Sequence, residues 1–119
     1  MSTPRKKAIE VQDIGDVTLV TFTTNKILDD QIIQAVGEQL FSLVDTMGKR
    51  NILVNFTKVE YLSSAALGKL ISLHKRVLSA KGKLALCCIA PSIFEVFEIT
   101  GLKKVFKVFD TEQEALESF

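Results

Sequence analysis

The chain contains one histidine, two cysteines and two prolines, and it has no long apolar run. Each scarcity excludes something. With a single imidazole, His74, any hydrolase built on a Ser–His pair would have to use that residue. His74 lies ten residues beyond the paired serines Ser63 and Ser64. Within one helix that spacing is a rise of about 15 Å, far outside hydrogen-bond reach. There is no GxSxG elbow. The residue three after Ser64 is Leu67, so there is no SxxK pair either, and no Walker-type or other Gly-rich phosphate loop occurs. Catalysis is not expected, and no catalytic residue is assigned. Cys87 and Cys88 are neighbours, without CxxC or Cys/His spacing, so neither a metal site nor a cofactor is expected. Consecutive strand residues face opposite ways, which predicts two buried thiols and no disulfide, in keeping with a reducing cytosol.

Charge of one sign is also missing. Fifteen Lys and Arg stand against fourteen Asp and Glu, for a net charge of +1. No strong field favours nucleic acid or an anionic membrane. The basic Arg5-Lys6-Lys7 is too short to change that, and residues 1–7 read as a flexible N-terminus. No apolar run approaches the roughly 20 residues of a membrane helix, and no signal-peptide pattern opens the chain. A cytoplasmic protein is therefore expected. No repeat, linker or low-complexity segment interrupts the 119 residues, which suit one domain, 1–119, around one core.

What is present alternates between two periodicities. Ala8–Val11 and Val17–Thr23 alternate apolar with polar around Gly15-Asp16, predicting an antiparallel hairpin. Asp29-Asp30 can cap a helix whose apolar residues Ile32, Ile33, Val36, Leu40, Leu43, Val44 and Met47 recur at steps of three and four, ending at Gly48. NILVNF (Asn51–Phe56) and LALCCI (Leu84–Ile89) are short apolar runs of the kind buried on both faces in a parallel sheet. Between them a second helix is predicted over Ser64–Ala80. Its core face is Ala66, Leu67, Leu70, Ile71, Leu73, Val77 and Leu78, its outer stripe Lys69, Ser72, Arg76 and Ser79, and its closing residue Gly82. Pro91 opens a short helix that Gly101 stops, Val105–Phe109 is a last strand, and Asp110 caps a closing helix with an acidic first turn. The order β-β-α-β-α-β-α-β-α implies a single α/β domain with a mixed sheet.

The crossover delivers Ser63 and Ser64 to the mouth of the second helix, where loops from the carboxyl ends of parallel strands converge. One serine serves as N-cap, a task that sequence alone does not divide between the two. An exposed hydroxyl there is also a candidate for modification, because a phosphate is tolerated at a helix N-terminus. The small Ala65, Ala66 and Gly68 leave the first turn open to a partner. Lys69, Ser72 and Arg76 read as solvated surface or as partner contacts. Asn25 and Ser92 belong to loops that reach the same edge. His74 reads as a partly buried packing residue. Phe94 and Phe97, with Ile93 and Val96, give the short helix more apolar surface than one narrow face holds.

The element order and the stretch NFTKVEYLSSAALGKL resemble the STAS domain, specifically the bacterial anti-sigma factor antagonists. The closing GLKKVFKVFDTEQEAL is similar to that family's usual ending, so the resemblance spans nearly the whole chain. In that family a short acidic turn followed by Ser-Ser/Thr-Gly-Leu stands at this loop. The resemblance implies phosphorylation of the serine after the family's aspartate by an anti-sigma factor serine kinase of the GHKL type. The unphosphorylated antagonist binds that kinase and frees the sigma factor, and a phosphatase restores it. Aligned on Tyr61 and Leu67-Gly68, the phosphorylatable serine falls on Ser64. Three positions depart from the pattern: Ser63 stands for the family's aspartate, Ala66 for its glycine, and Asn55 for the acidic residue at the end of the preceding strand.

The resemblance thus implies Ser64 as phosphosite, with Ser63 and Asn55 as its support; position alone suggests a partner surface of Asn25, Ala65, Gly68, Lys69, Ser72, Arg76 and Ser92. Neither nucleic acid nor membrane is an expected partner, and a weak homodimer is left open. The leading expectation is a regulatory antagonist working by partner switching. The alternative is a non-phosphorylated STAS scaffold or adaptor in a larger signalling or transport assembly.

Overall fold

The computed structural model describes residues 7–119, so most of the predicted flexible N-terminus, 1–7, lies outside the described residues. A hairpin of β1 (Ile9–Ile14) and β2 (Val17–Phe22) opens the fold. The short β3 (Lys26–Ile27) leads into α1 (Asp30–Asp45), then β4 (Asn51–Asn55), the short β5 (Tyr61–Leu62) and α2 (Ser64–Ser79). β6 (Lys83–Cys87), α3 (Pro91–Thr100), β7 (Lys107–Phe109) and α4 (Glu112–Glu117) complete it, with a single 3-10 turn at Leu102–Lys104.

Five strands form one mixed sheet in the order β1-β2-β4-β6-β7, and β3 pairs with β5 in a separate two-stranded ribbon. β1 and β2 run antiparallel. The pairings β2–β4, β4–β6 and β6–β7 are all parallel. Alternation then sorts the side chains. Val20, Phe22, Ile52, Val54, Leu84 and Leu86 join the large core beneath α1, α2 and α3. Leu19, Leu53, Ala85 and Cys87 face the other way and pack with Ala115 of α4 in a smaller core. The continuous apolar runs of β4 and β6 thus follow from helices covering both faces.

The helix ends follow local chemistry. The Asp29 side chain caps α1 by accepting from the Gln31 N–H at 2.7 Å. Pro91 is the first residue of α3, and Gly101 ends that helix at φ 79°. Several expectations are corrected. The cap of α4 is Thr111, not Asp110: its hydroxyl accepts from Glu114 N–H and also reaches that residue's carboxylate. Met47 and Leu78, expected in the core, are 56% exposed: Met47 lies past the end of α1, and Leu78 lies in the last turn of α2. The last strand starts at Lys107, since Leu102–Lys104 is wound into the 3-10 turn and Val105 caps it.

Gly82 stands after α2 for a steric reason. The left-handed residue there is Lys81, at φ 62°. Gly82 is needed for close approach: a Cβ on it would lie 2.1 Å from the carbonyl oxygen of Arg50. That carbonyl accepts the Lys83 N–H, registering β6 beside β4. The pairing of the two strands and the turn out of α2 therefore compete for the same space. Replacing Gly82 by Ala is expected to lower unfolding stability by about 1–3 kcal/mol, the usual range for forced overpacking. Urea denaturation followed by far-UV circular dichroism checks this; a midpoint equal to wild type would disprove the steric argument.

Candidate functional site

The ribbon of β3 and β5 escaped the sequence reading, which took both segments as loop. It holds the site in place. Lys26 lies opposite Tyr61 and Ile27 opposite Leu62. The Asn25 carbonyl accepts the N–H groups of Glu60 and Tyr61, and the Ile27 carbonyl accepts the Ser63 N–H at 3.1 Å. The Asn25 side chain adds a bond to the Glu60 carboxylate at 2.8 Å. Two residues per strand are too few for alternation to signal. The fully buried Ile27 and Val59 beneath the ribbon are the trace that it left in the sequence.

The ribbon hands the chain to α2, and there the two serines divide. Ser63 is the N-cap: its hydroxyl accepts from the Ala66 N–H at 3.1 Å, and its carbonyl accepts the Leu67 N–H. Ser64 is the first helical residue and is exposed. Among the described residues its hydroxyl and the N–H groups of Ser64 and Ala65 have no hydrogen-bond partner. The first turn contains no acidic residue. An exposed hydroxyl therefore stands beside open backbone donors at the positive end of a helix.

The surroundings are small and apolar. Ala65 and Gly68 are exposed, and a Cβ on Gly68 would meet nothing within 4 Å. Tyr61, Leu67, Ser92 and Val96 line a groove of about 220 Å³ between the start of α2 and α3. Ser92 is exposed on its rim. Tyr61 and Leu28 are each about half exposed, at 54% and 50%, and the Lys26 ammonium lies 5.7 Å from the Tyr61 ring.

The stripe of Lys69, Ser72 and Arg76 is not the open face that the helical pattern predicts. Lys69 and Ser72 are half-buried. The Lys69 stem lies over Gly37 of α1, where a Cβ would come within 2.8 Å of it. Arg76 stacks 4.2 Å from the Phe41 ring centroid and pairs with Asp45. All three follow the seam between α1 and α2, and only Arg76 is also exposed. A helical wheel cannot see this seam, because a neighbouring helix covers one flank of a polar stripe.

Asn55 is buried at the carboxyl end of β4. Its carbonyl oxygen accepts from the Thr57 N–H at 2.8 Å and from the Thr57 hydroxyl, while its amide donates to Glu112 at 3.1 Å. It fixes the strand exit and joins it to α4. His74 is half-buried, with its ring 5.2 Å from that of Phe106. Its buried Nδ1 has no partner among the described residues.

With this geometry in hand, known proteins supply the family. The STAS domain model matches residues 8–115. The chain belongs to the STAS family. A relative from Bordetella bronchiseptica, BtrV, provisionally named an anti-sigma factor antagonist, is 32% identical over 72 residues. That match covers 60% of this chain and 62% of BtrV, so the chain spans less than two thirds of that relative's length. The solved structure of an anti-sigma-factor antagonist STAS domain protein from Planctomyces limnophilus superposes with a TM-score of 0.83 at 25% identity, covering 92% of this chain and 96% of that one. The Bacillus cell fate determinant SpoIIAA, solved in its phosphorylated form, gives 0.73 at 18% identity over 93% and 98% of the two chains. At that identity it reports on the fold. No helix of the described residues is long and apolar enough to cross a membrane.

The split between the serines is measurable without a partner. Ser63→Ala should lower unfolding stability by about 1 kcal/mol through the lost cap. Ser64→Ala should stay within about 0.5 kcal/mol of wild type, as an exposed unpartnered residue does. Equal losses in urea titrations of the two variants would contradict this assignment.

Proposed function

We propose that this STAS domain is an anti-sigma factor antagonist, a cytoplasmic regulatory binding protein with no catalytic role of its own. It binds an anti-sigma factor serine kinase of the GHKL type and is released when that kinase phosphorylates Ser64. A phosphatase returns it to the binding form. The observation that carries this reading is the free Ser64 hydroxyl at the first position of α2, beside a neighbour that already caps the helix. Because Ser63 holds the cap, Ser64 is chemically available and its modification leaves the helix start intact.

The partner surface is the face around that hydroxyl: Ala65 and Gly68 on the first turns of α2, Asn25 on the ribbon side, and Ser92 across the groove. Arg76, Ser72 and Lys69 extend it along the α1 seam. A phosphate on Ser64 adds about −1.5 to −2 charges to this nearly neutral, partly apolar surface. The backbone donors of the first turn tolerate it in the free protein, whereas a docked partner would have to desolvate it. The switch then works by electrostatics and dehydration, without refolding.

Ser63 and Asn55 occupy positions where the family carries carboxylates, and both are engaged in holding the loop. That observation supports a second reading, a non-phosphorylated scaffold or adaptor. Incubation with a GHKL-type anti-sigma kinase and ATP, followed by intact-mass and peptide mass spectrometry, distinguishes the two. The antagonist reading expects one phosphate on Ser64 and none on Ser64→Ala. It also expects Ser64→Asp to weaken the complex more than tenfold, or 1.4 kcal/mol. Tight kinase binding by wild type, Ser64→Ala and Ser64→Asp alike, with no phosphate added, would leave the scaffold.

A further inference from the structure

The two cysteines do not behave as the strand alternation predicts. β6 ends at Cys87, which is buried, and Cys88 is half-buried just beyond it. Cys88 adopts φ 63°, the left-handed region that residues with a side chain rarely occupy. This turn undoes the alternation, and the two Sγ atoms come to 3.3 Å of each other. Both thiols are free. A backbone outlier outside a tight glycine turn thus coincides with two nucleophilic sulfurs in contact, and the chain spends strain to hold them there.

We propose that Cys87 and Cys88 form a reversible oxidation site, closing to a vicinal disulfide when the protein meets a hydroperoxide. Cys88, the more accessible, is attacked first. Its sulfur takes an oxygen from hydrogen peroxide: an S–O bond forms, the O–O bond breaks, sulfur loses two electrons and water leaves. The Cys87 sulfur then displaces that oxygen from Cys88. An S–S bond forms, the S–O bond breaks, and the oxygen departs as a second water with the Cys87 proton. Burial, then the neighbouring Cys88 thiol, push the Cys87 thiol above its ordinary range, so it is slow to meet peroxide itself; the 3.3 Å contact is what lets it resolve Cys88, giving up its proton as it attacks.

The bond is built to be reversible. Adjacent Cα atoms are about 3.8 Å apart, below the usual 4.4–6.8 Å span of a disulfide. Strain of that kind makes a disulfide easier to reduce. The position also gives the reaction reach. The Cys87 carbonyl accepts the Phe56 N–H at 3.0 Å, and the Cys88 N–H donates to the Phe109 carbonyl at 3.2 Å. Ring closure rotates the peptide between them, and so acts on the exit of β4, on β7 and on the entry to α3 at Pro91.

The test is treatment of the folded chain with stoichiometric hydrogen peroxide, then alkylation and non-reducing mass spectrometry. The expected result is loss of both alkylatable thiols with loss of two hydrogens, a peptide linked internally between Cys87 and Cys88, no dimer, and full return with dithiothreitol. Amide exchange at Phe56 and Cys88 should differ between the two states. Cys87→Ala should stop at a Cys88 sulfenic acid that dimedone captures. Because that variant alters a buried position, Cys88→Ser serves as the second: it should leave Cys87 unreactive in the folded protein. Oxidation of wild type to sulfinic acid with Cys87 still alkylatable, or linkage only between chains, would overturn the proposal.

Discussion

Strand β4 is held from four directions, and the site inherits its position from that. β2 and β6 hydrogen-bond along its two edges. Ile52 and Val54 are buried against the α1–α2 layer, and Leu53 is buried against α4. A five-residue strand enclosed on both faces and both edges has no freedom to slip, because a one-residue shift would exchange its two faces. Its last residue, Asn55, is tied to Thr57 and Glu112, so the chain leaves the sheet at one fixed point. The serines follow within ten residues.

From that point backbone hydrogen bonds do most to carry the chain to α2, with the Asn25–Glu60 side-chain bond beside them. The β3–β5 ribbon binds the loop through the carbonyls of Asn25 and Ile27, which any side chain could accompany. This leaves Tyr61 and the exposed residues of the first turn of α2 free to vary in chemistry while the helix start stays in place. Serine is among the preferred N-caps, so Ser63 fixes the helix start without placing a charge there.

The stretch between β6 and α3 is the other exit from the sheet, and it is built differently. No ribbon braces it. The turn is made instead by a left-handed cysteine followed by Ile89, Ala90 and Pro91. The carboxyl edge of the sheet therefore presents a hydroxyl held rigidly at one exit and a strained dithiol at the next. Both feed helices that border the same groove, through Leu67 on α2 and Val96 on α3.

Much of this was legible in the residues. The period-two and period-3.6 patterns carried the element order, since burial on one or both faces writes itself into apolar spacing. The motif around Tyr61–Gly68 carried the family and located the serines. Three things were decided only by tertiary structure. Which serine caps depended on where the ribbon ends, and a two-residue strand has no periodicity to read. Whether Lys69, Ser72 and Arg76 face water depended on α1 lying beside them. Whether the cysteines part or meet depended on one backbone angle at Cys88, set by how β6 must turn into α3. Local sequence determines which groups want burial or a cap; only the packing of distant segments determines which of them are met.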